Sequence, residues 1–220
     1  MNVHISIIIP AYNEEQRIVS TLDSIKKYLK RQKYSSEIIV VDDGSVDNTK
    51  NILKKIKNII LVSYKKNKGK GYAIKKGVEK AKGKYILYMD ADGAIPVKYL
   101  SDFLKFIDNY DIVIAVKRLK LNLRSFVSFC LRIFPVIFLN LNDSQTGFKL
   151  FKRESAKKLF KNLKTYRWAF DFEILKNARK RNLKIKQVEV KIADNSRSHV
   201  KILDLFRFLF DILKILFRKQ

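Results

Sequence analysis

Four short runs rich in Ile and Val set the strongest limit on how this chain can fold: Ile5–Ile9, Ile38–Val41, Ile59–Val62 and Tyr85–Met89. Their apolarity is continuous rather than alternating, which suits strands covered on both faces in a parallel sheet. Parallel strands need long crossovers, and the intervening segments read as helices. Glu14–Leu29 places Ile18, Leu22, Ile25 and Leu29 at spacings of four, three and four, the pattern of an amphipathic helix. Asp47–Lys57 and Tyr72–Ala81 behave similarly, and Asp111–Val116 supplies a fifth strand. The order β-α-β-α-β-α-β predicts a doubly wound α/β domain with right-handed crossovers. With 47% hydrophobic residues among 220, the chain can bury a sizeable core, which excludes disorder as its general state. From Leu119 onward the pattern is less regular and predicts several aromatic-rich helices.

In open α/β sheets, ligands bind at the carboxyl ends of the strands. The first strand ends in Pro10-Ala11-Tyr12-Asn13-Glu14. The second ends in Asp42-Asp43-Gly44-Ser45, followed by Asp47-Asn48-Thr49, and the fourth in Asp90-Ala91-Asp92-Gly93. Asp, Asn, Ser and Gly favour turns and helix caps, and that explains Ser45, Asp47 and Asn48 as readily as a functional role does. It does not explain the set. Asp42, Asp43, Asp90 and Asp92 would repel one another unless a cation or hydrogen-bond donors compensate. An Asp-x-Asp pair brings two carboxylates within reach of one hard divalent ion, and Mg²⁺ or Mn²⁺ accepts such ligands together with substrate phosphates.

The chain carries 47 Lys and Arg against 21 Asp and Glu, a formal charge of +26. That excess calls for an acidic partner: nucleic acid, an anionic membrane surface or a phosphorylated substrate. Nucleic acid is the poorest fit, because the cations are scattered, no recognised binding module is present and acidic loops occupy the strand ends. The lone Cys130 excludes an intramolecular disulfide and a cysteine zinc site, and His4 and His199 have no metal-ligand spacing. The segment from Met1 to Pro10 lacks the features of a signal peptide. No charge-free stretch reaches the roughly 18 residues of a membrane span. Ser125–Leu141, interrupted by Arg132 and Pro135, reads as a helix lying on something apolar. From Lys201 the polar residues Asp204, Arg207, Asp211, Lys214 and Arg218 keep to one narrow helical stripe, leaving a wide apolar face. Two such helices among many cations predict an interfacial anchor on anionic lipid at the cytoplasmic face of a membrane, in a peripheral or monotopic protein.

Taken in order and spacing, IIIPAYNEE, IIVVDDGSVDNT, NKGKGYAIKKG and YMDADG resemble the family 2 inverting glycosyltransferases of GT-A fold. The resemblance runs on through Val116-Lys117-Arg118, Arg124-Ser125, DSQTGFKLF from Asp143 and RWAFDFEIL from Arg167, which are similar to the dolichyl-phosphate sugar synthases. Those last two stretches are most similar to the dolichyl-phosphate β-glucosyltransferases. The resemblance implies a GT-A-type, Rossmann-like, mostly parallel sheet with a catalytic domain over 1–199, an interfacial region over 121–141 and a membrane-associating amphipathic helix over 200–220. It further implies transfer of a hexose to dolichyl or polyprenyl phosphate, with UDP-glucose favoured as donor and GDP-mannose as the alternative.

Residue by residue, the resemblance places the nucleotide base and ribose on Pro10, Ala11, Tyr12, Glu14 and Asp42, the first aspartate of its loop, with Asp43 beside it among the nucleotide-sugar-binding residues. Asp90 and Asp92, with Ala91 between them, hold the diphosphate through the metal. Lys70 faces the nucleotide, or is one solvated lysine among many. Arg118 and Arg124 match phosphate-binding positions, and an arginine fork grips a phosphate in bidentate fashion. The other reading of both is a basic membrane-facing stripe. Asp143 and Gln145 orient sugar or acceptor, or cap the segment that follows. Trp168 and Asp171 line the sugar pocket, or serve as a core Trp and a helix N-terminal acid. Ser198 takes the place of a phosphate-contacting Ser, followed by His199 where the family has Lys.

Overall fold

The computed structural model describes residues 3–117, 139, 141, 145–167, 169–191 and 202–217. In chain order the elements are β1 (Ile5–Ala11), α1 (Ile18–Leu29), β2 (Ser36–Asp42), α2 (Thr49–Lys55), β3 (Ile60–Ser63), α3 (Lys70–Lys80), β4 (Tyr85–Met89), α4 (Leu100–Leu104) and β5 (Ile112–Lys117). They are followed by β6 (Phe148–Lys152), α5 (Arg153–Lys161), α6 (Phe170–Lys180), β7 (Ile185–Val190) and α7 (Ile202–Phe217).

The seven strands form one sheet in the order β3-β2-β1-β4-β6-β5-β7. The first four strands are mutually parallel, in register Ile8↔Ile39 between β1 and β2 and Ile8↔Tyr88 between β1 and β4. β5 and β7 also pair in parallel, whereas β6 runs antiparallel to both β4 and β5. This is the mostly parallel α/β sheet that the apolar runs predict, with two strands added to the expected five, β6 and β7. The DSQTGFKLF stretch, which carries no predicted element, turns into β6 at Phe148, and β6 is inserted between β4 and β5. Because it runs the other way, its beginning lies at the same sheet edge as the ends of β1, β2 and β4.

Each face of the sheet is covered by helices. Ile5, Ile7, Ile9, Val40 and Leu87 pack with α1, α2 and the segment around Phe103. Ile8, Ile39, Val41, Tyr88 and Phe151 pack with α3, α5, α6 and α7. β1 alternates between these two layers, and Ile5, Ile7, Ile8 and Ile9 are wholly buried. Each such side chain contributes about 1.5–3 kcal/mol relative to exposure. β3 departs from expectation: it is an edge strand of the sheet, and Ile60 is 39% exposed. α1 begins at Ile18 rather than Glu14, and in the turn ahead of it the Arg17 and Ile18 amides both donate to the Glu14 carbonyl.

The apolar surface of α7 is divided. Ile212 and Ile215 are buried in the core, and Lys176 Nζ of α6 donates to the Ile215 carbonyl (2.5 Å) and the Leu216 carbonyl (3.3 Å). Phe210, Leu213 and Phe217 face outward, 58%, 49% and 81% exposed. Most of the 121–141 region lies outside the described residues, though Leu139 and Leu141 are buried in the core. Among the described residues, no helix is long and apolar enough to cross a membrane.

Candidate active site

Parallel strands bring their carboxyl ends to one edge, and a cavity of about 440 Å³ opens there. Its volume suits a small-molecule ligand. Pro10, Ala11, Tyr12 and Glu14 line it from the end of β1, Asp43 from β2, and Asp90, Ala91 and Asp92 from β4. Lys70 enters from the start of α3, Gln145 from the approach to β6, and Asp171 from the first turn of α6. Eleven of the residues singled out in the sequence therefore share one wall. Asp42 does not. Its carboxylate is fully buried, Oδ1 accepts the Ser45 amide at 3.1 Å, and Oδ2 has no hydrogen-bond partner among the described residues. Arg118, Arg124, Asp143, Trp168 and Ser198 lie outside the described residues.

The loop after β1 is stitched to the loop after β2. Asn13 donates its amide to Ser45 Oγ (3.0 Å) and accepts the Val46 amide on Oδ1 (2.9 Å). The Glu14 amide donates to Thr49 Oγ1 and the Glu15 amide to Asp47 Oδ2. Asn13 has φ +56°, a left-handed conformation that Asn tolerates better than most side chains. Ser45 and Asp47 thus act locally, fixing the loop that presents Tyr12 and Glu14.

Asp43 organises a third loop. Its carboxylate accepts from the Tyr64 hydroxyl (2.7 Å), Asn67 Nδ2 (3.0 Å), the Lys68 amide (2.8 Å) and the Gly69 amide (2.9 Å). Burial first, and then the facing Asp43 carboxylate, pushes the Tyr64 phenol upward. Gly69 has φ +101°, and a Cβ there would strike the Tyr166 carbonyl. That turn starts α3 and aims Lys70 into the cavity. Lys70 Nζ lies 2.5 Å from Asp90 Oδ1, both side chains about one-third exposed at 35% and 37%. Burial lowers the Lys70 ammonium, but Asp90, Asp171 and Asp92 outweigh it and hold the group above its ordinary value.

The four aspartates expected to repel each meet a protein donor or cation, Asp42 on one oxygen only. Asp43 has four donors, Asp42 has the Ser45 amide, Asp90 has Lys70, and Asp92 Oδ1 accepts the Ala94 amide at 3.0 Å. Glu14 sits close enough to Asp90 and Asp92 to feel them. Burial raises its carboxyl, the Arg17 ion pair at 2.7 Å opposes this, and Asp92 and Asp90 raise it further.

Asn67, Gly69, Arg167 and Phe170 also line the cavity and were missed as site residues. All four fall inside the NKGKG and RWAFD stretches, so the signal was present in the motif rather than in any single side chain. The Tyr166 carbonyl accepts the Gly71 amide at 2.8 Å, which docks the second stretch over the start of α3. An absent side chain matters as well: a Cβ on Gly147 would fall inside the Asp90 carboxylate.

For a metal, the donor set is hard and incomplete. Asp90 and Asp92 supply carboxylate oxygens, and no cluster of three His, Cys, Asp or Glu forms among the described residues. Two carboxylates without a closing protein shell fit an ion that completes its coordination with water and ligand phosphates, as Mg²⁺ and Mn²⁺ do.

Solved structures share this architecture. Glucosyl-3-phosphoglycerate synthase from Mycobacterium tuberculosis, in complex with Mn²⁺, uridine diphosphate and phosphoglyceric acid, superposes with a TM-score of 0.77 over 99% of this chain and 80% of that one, at 20% identity. Mannosyl-3-phosphoglycerate synthase from Rubrobacter xylanophilus gives 0.76 over 97% and 72%, also at 20% identity. The fold is that of the GT-A glycosyltransferases. Residues 6–160 match the model described as glycosyl transferase family 2, and the chain belongs to that family. Among curated relatives, the dolichyl-phosphate beta-glucosyltransferase of Dictyostelium discoideum is 38% identical over 86% of this chain and 66% of its own length. A dolichyl-phosphate beta-glucosyltransferase of Trichomonas vaginalis is 34% identical over 97% of this chain and 73% of its own. The chain is a glycosyltransferase that spans about two thirds to three quarters of the length of these relatives.

Proposed function

We propose that this glycosyltransferase moves glucose from UDP-glucose to dolichyl phosphate, inverting the anomeric centre, with a divalent metal at Asp90 and Asp92. The observation that carries the reading is the shared wall: the Asp-x-Asp pair, Tyr12, Glu14 and Lys70 border one cavity at the carboxyl edge of the sheet. The named relatives support the choice of glucose and of dolichyl phosphate. When bound, Mg²⁺ or Mn²⁺ supplies Lewis-acid charge on the departing diphosphate.

The remaining work falls to side chains. Pro10, Ala11, Tyr12, Glu14 and Asp43 cradle the base and ribose, Lys70 faces the diphosphate, and Asp171 with Gln145 faces the sugar. Arg118 and Arg124 take the acceptor phosphate as bidentate partners, and Asp143, Trp168 and Ser198 complete the sugar and acceptor contacts. A phosphomonoester has a second pKa of about 6, so its oxygen arrives already ionised at neutral pH and positioning replaces proton abstraction. The outward residues Phe210, Leu213 and Phe217, beside Lys214 and within a chain of charge +26, rest on anionic lipid at the cytoplasmic face. The acceptor's polyprenyl chain lies in that same lipid.

The test is incubation with labelled UDP-glucose or GDP-mannose, dolichyl phosphate, and either Mg²⁺, Mn²⁺ or a chelator. Label moving into lipid from UDP-glucose alone, and only with metal, is the expected outcome. Transfer from GDP-mannose instead would reassign the donor, and metal-independent transfer would remove the ion from the scheme.

A further inference from the structure

Lys149 carries a fully buried charge behind the cavity, and nothing in the scheme above uses it. It stands in β6, opposite Tyr88 of β4 in the antiparallel register, and both side chains point to the layer that contains α6. Lys149 is 0% exposed. Its ammonium donates to Asp171 Oδ1 at 2.8 Å and to the Thr146 carbonyl at 2.7 Å, and it lies 5.3 Å from the centre of the Tyr88 ring. The Tyr88 hydroxyl donates to that same Asp171 Oδ1. One carboxylate oxygen thus receives two buried donors, while Asp171 itself, in the first turn of α6, lines the cavity.

An ammonium in mid-sheet is a poor choice for packing. Replacing a buried ion pair with apolar residues of similar volume is often neutral or stabilising. Stability does not explain the pair; geometry does. Two donors on Oδ1 fix the rotation of the carboxylate and hold its charge at the cavity wall, ready to accept from a hydroxyl. An oxygen already occupied by two internal donors is badly placed to take a proton from an incoming acceptor.

We infer that Lys149 and Tyr88 are positioning residues that lock Asp171 as a hydrogen-bond acceptor for a hydroxyl of the donor hexose. This deepens the function proposed above and rests on its assignment of a nucleotide sugar to the cavity. The sheet supplies the clamp, α6 supplies the carboxylate, and the sugar, rather than the nucleotide, reads the result.

Calorimetric binding of UDP and of UDP-glucose, each with Mn²⁺ and without acceptor, tests the clamp. Tyr88→Phe removes one donor and keeps the ring against the ammonium; Lys149→Met removes the charge. For both variants UDP affinity stays at the wild-type value, while UDP-glucose affinity falls about tenfold, the size expected when a charged hydrogen bond is lost. Equal losses for the two ligands, or none for either, would overturn the positioning role and leave a structural pair. If Lys149→Met fails to fold, Tyr88→Phe carries the test alone. A wild-type protein that binds neither ligand overturns the donor assignment itself, and the inference with it, which is a distinguishable failure.

Discussion

Asp90 fills the space that a side chain on residue 147 would need: a Cβ on Gly147 would lie within the Asp90 carboxylate. The two are also joined through the backbone, the Asp90 amide donating to the Gly147 carbonyl at 3.0 Å. A carboxylate at the end of one strand is therefore seated by a glycine at the start of its antiparallel neighbour.

Gly147→Ala should displace Asp90 from its place beside Lys70. Overpacking of this kind costs about 1–3 kcal/mol in stability, yet the loss in transfer should be far greater, about 100-fold, because the divalent ion proposed to neutralise the diphosphate would lose a carboxylate ligand. Melting temperature and single-turnover transfer, measured side by side, separate the two. A variant with near-wild-type transfer would mean that Asp90 need not sit where it does.

Asp43 ties the segment from Tyr64 to Gly69 to the end of β2. Tyr64→Phe removes one hydrogen bond to a carboxylate and should cost about 1.5–3 kcal/mol in denaturant unfolding. Asp43→Asn disturbs acceptors for four donors and should cost more, with faster amide exchange at Lys68 and Gly69. Unaltered exchange there would show that the loop holds itself.

Glu14 gives the fold a pH dependence of known sign. Its carboxyl is raised above the ordinary 4.5, by burial first, against Arg17 and with Asp92 and Asp90. A raised group binds its proton more tightly in the folded state, so its contribution is complete below that ordinary value and is lost as pH rises through the folded one. In chelator, the stability of wild type relative to Glu14→Gln should therefore decline as pH rises from 4.5. A rising difference over that range would reverse the assignment.

The exposed stripe on α7 can be tested without disturbing the core. Phe210→Ser, Leu213→Ser and Phe217→Ser together leave Ile212 and Ile215 in place. Partitioning onto anionic vesicles should fall by about 100-fold while the melting temperature holds, as expected when three apolar side chains lose a lipid contact. Unchanged partitioning would send the stripe to some other role.

Much of this fold was legible in the chain. Ile5–Ile9 and Tyr85–Met89 announced β1 and β4, since continuous apolar runs have few alternatives to burial on both faces. Tyr12, Asp90 and Asp92 followed from the rule that ligands gather at strand ends. β6 was hidden by its own chemistry. Lys149 interrupts Phe148-Lys-Leu-Phe with a charge, and no local pattern reveals that its partner is Asp171, twenty-two residues on. Asp42 and Asp43 were alike as letters, and both are buried, yet Asp43 alone borders the cavity and gathers the Tyr64–Gly69 loop. Only the course of β2 past Ala11 decides which. The apolar face of α7 was visible, but not its division between the core and the exterior, because that depends on where α6 lies.

In the proposed reaction a hexose leaves its nucleotide in this cavity for a lipid phosphate, with inversion. A single turnover of wild-type protein with isotope-labelled UDP-glucose, dolichyl phosphate and Mn²⁺, followed by nuclear magnetic resonance of the extracted lipid, reads that event directly. The predicted product is β-linked glucose on dolichyl phosphate, formed in step with UDP, and none with Asp92→Asn. Release of free glucose without glycolipid, or an α-linked product, would contradict it.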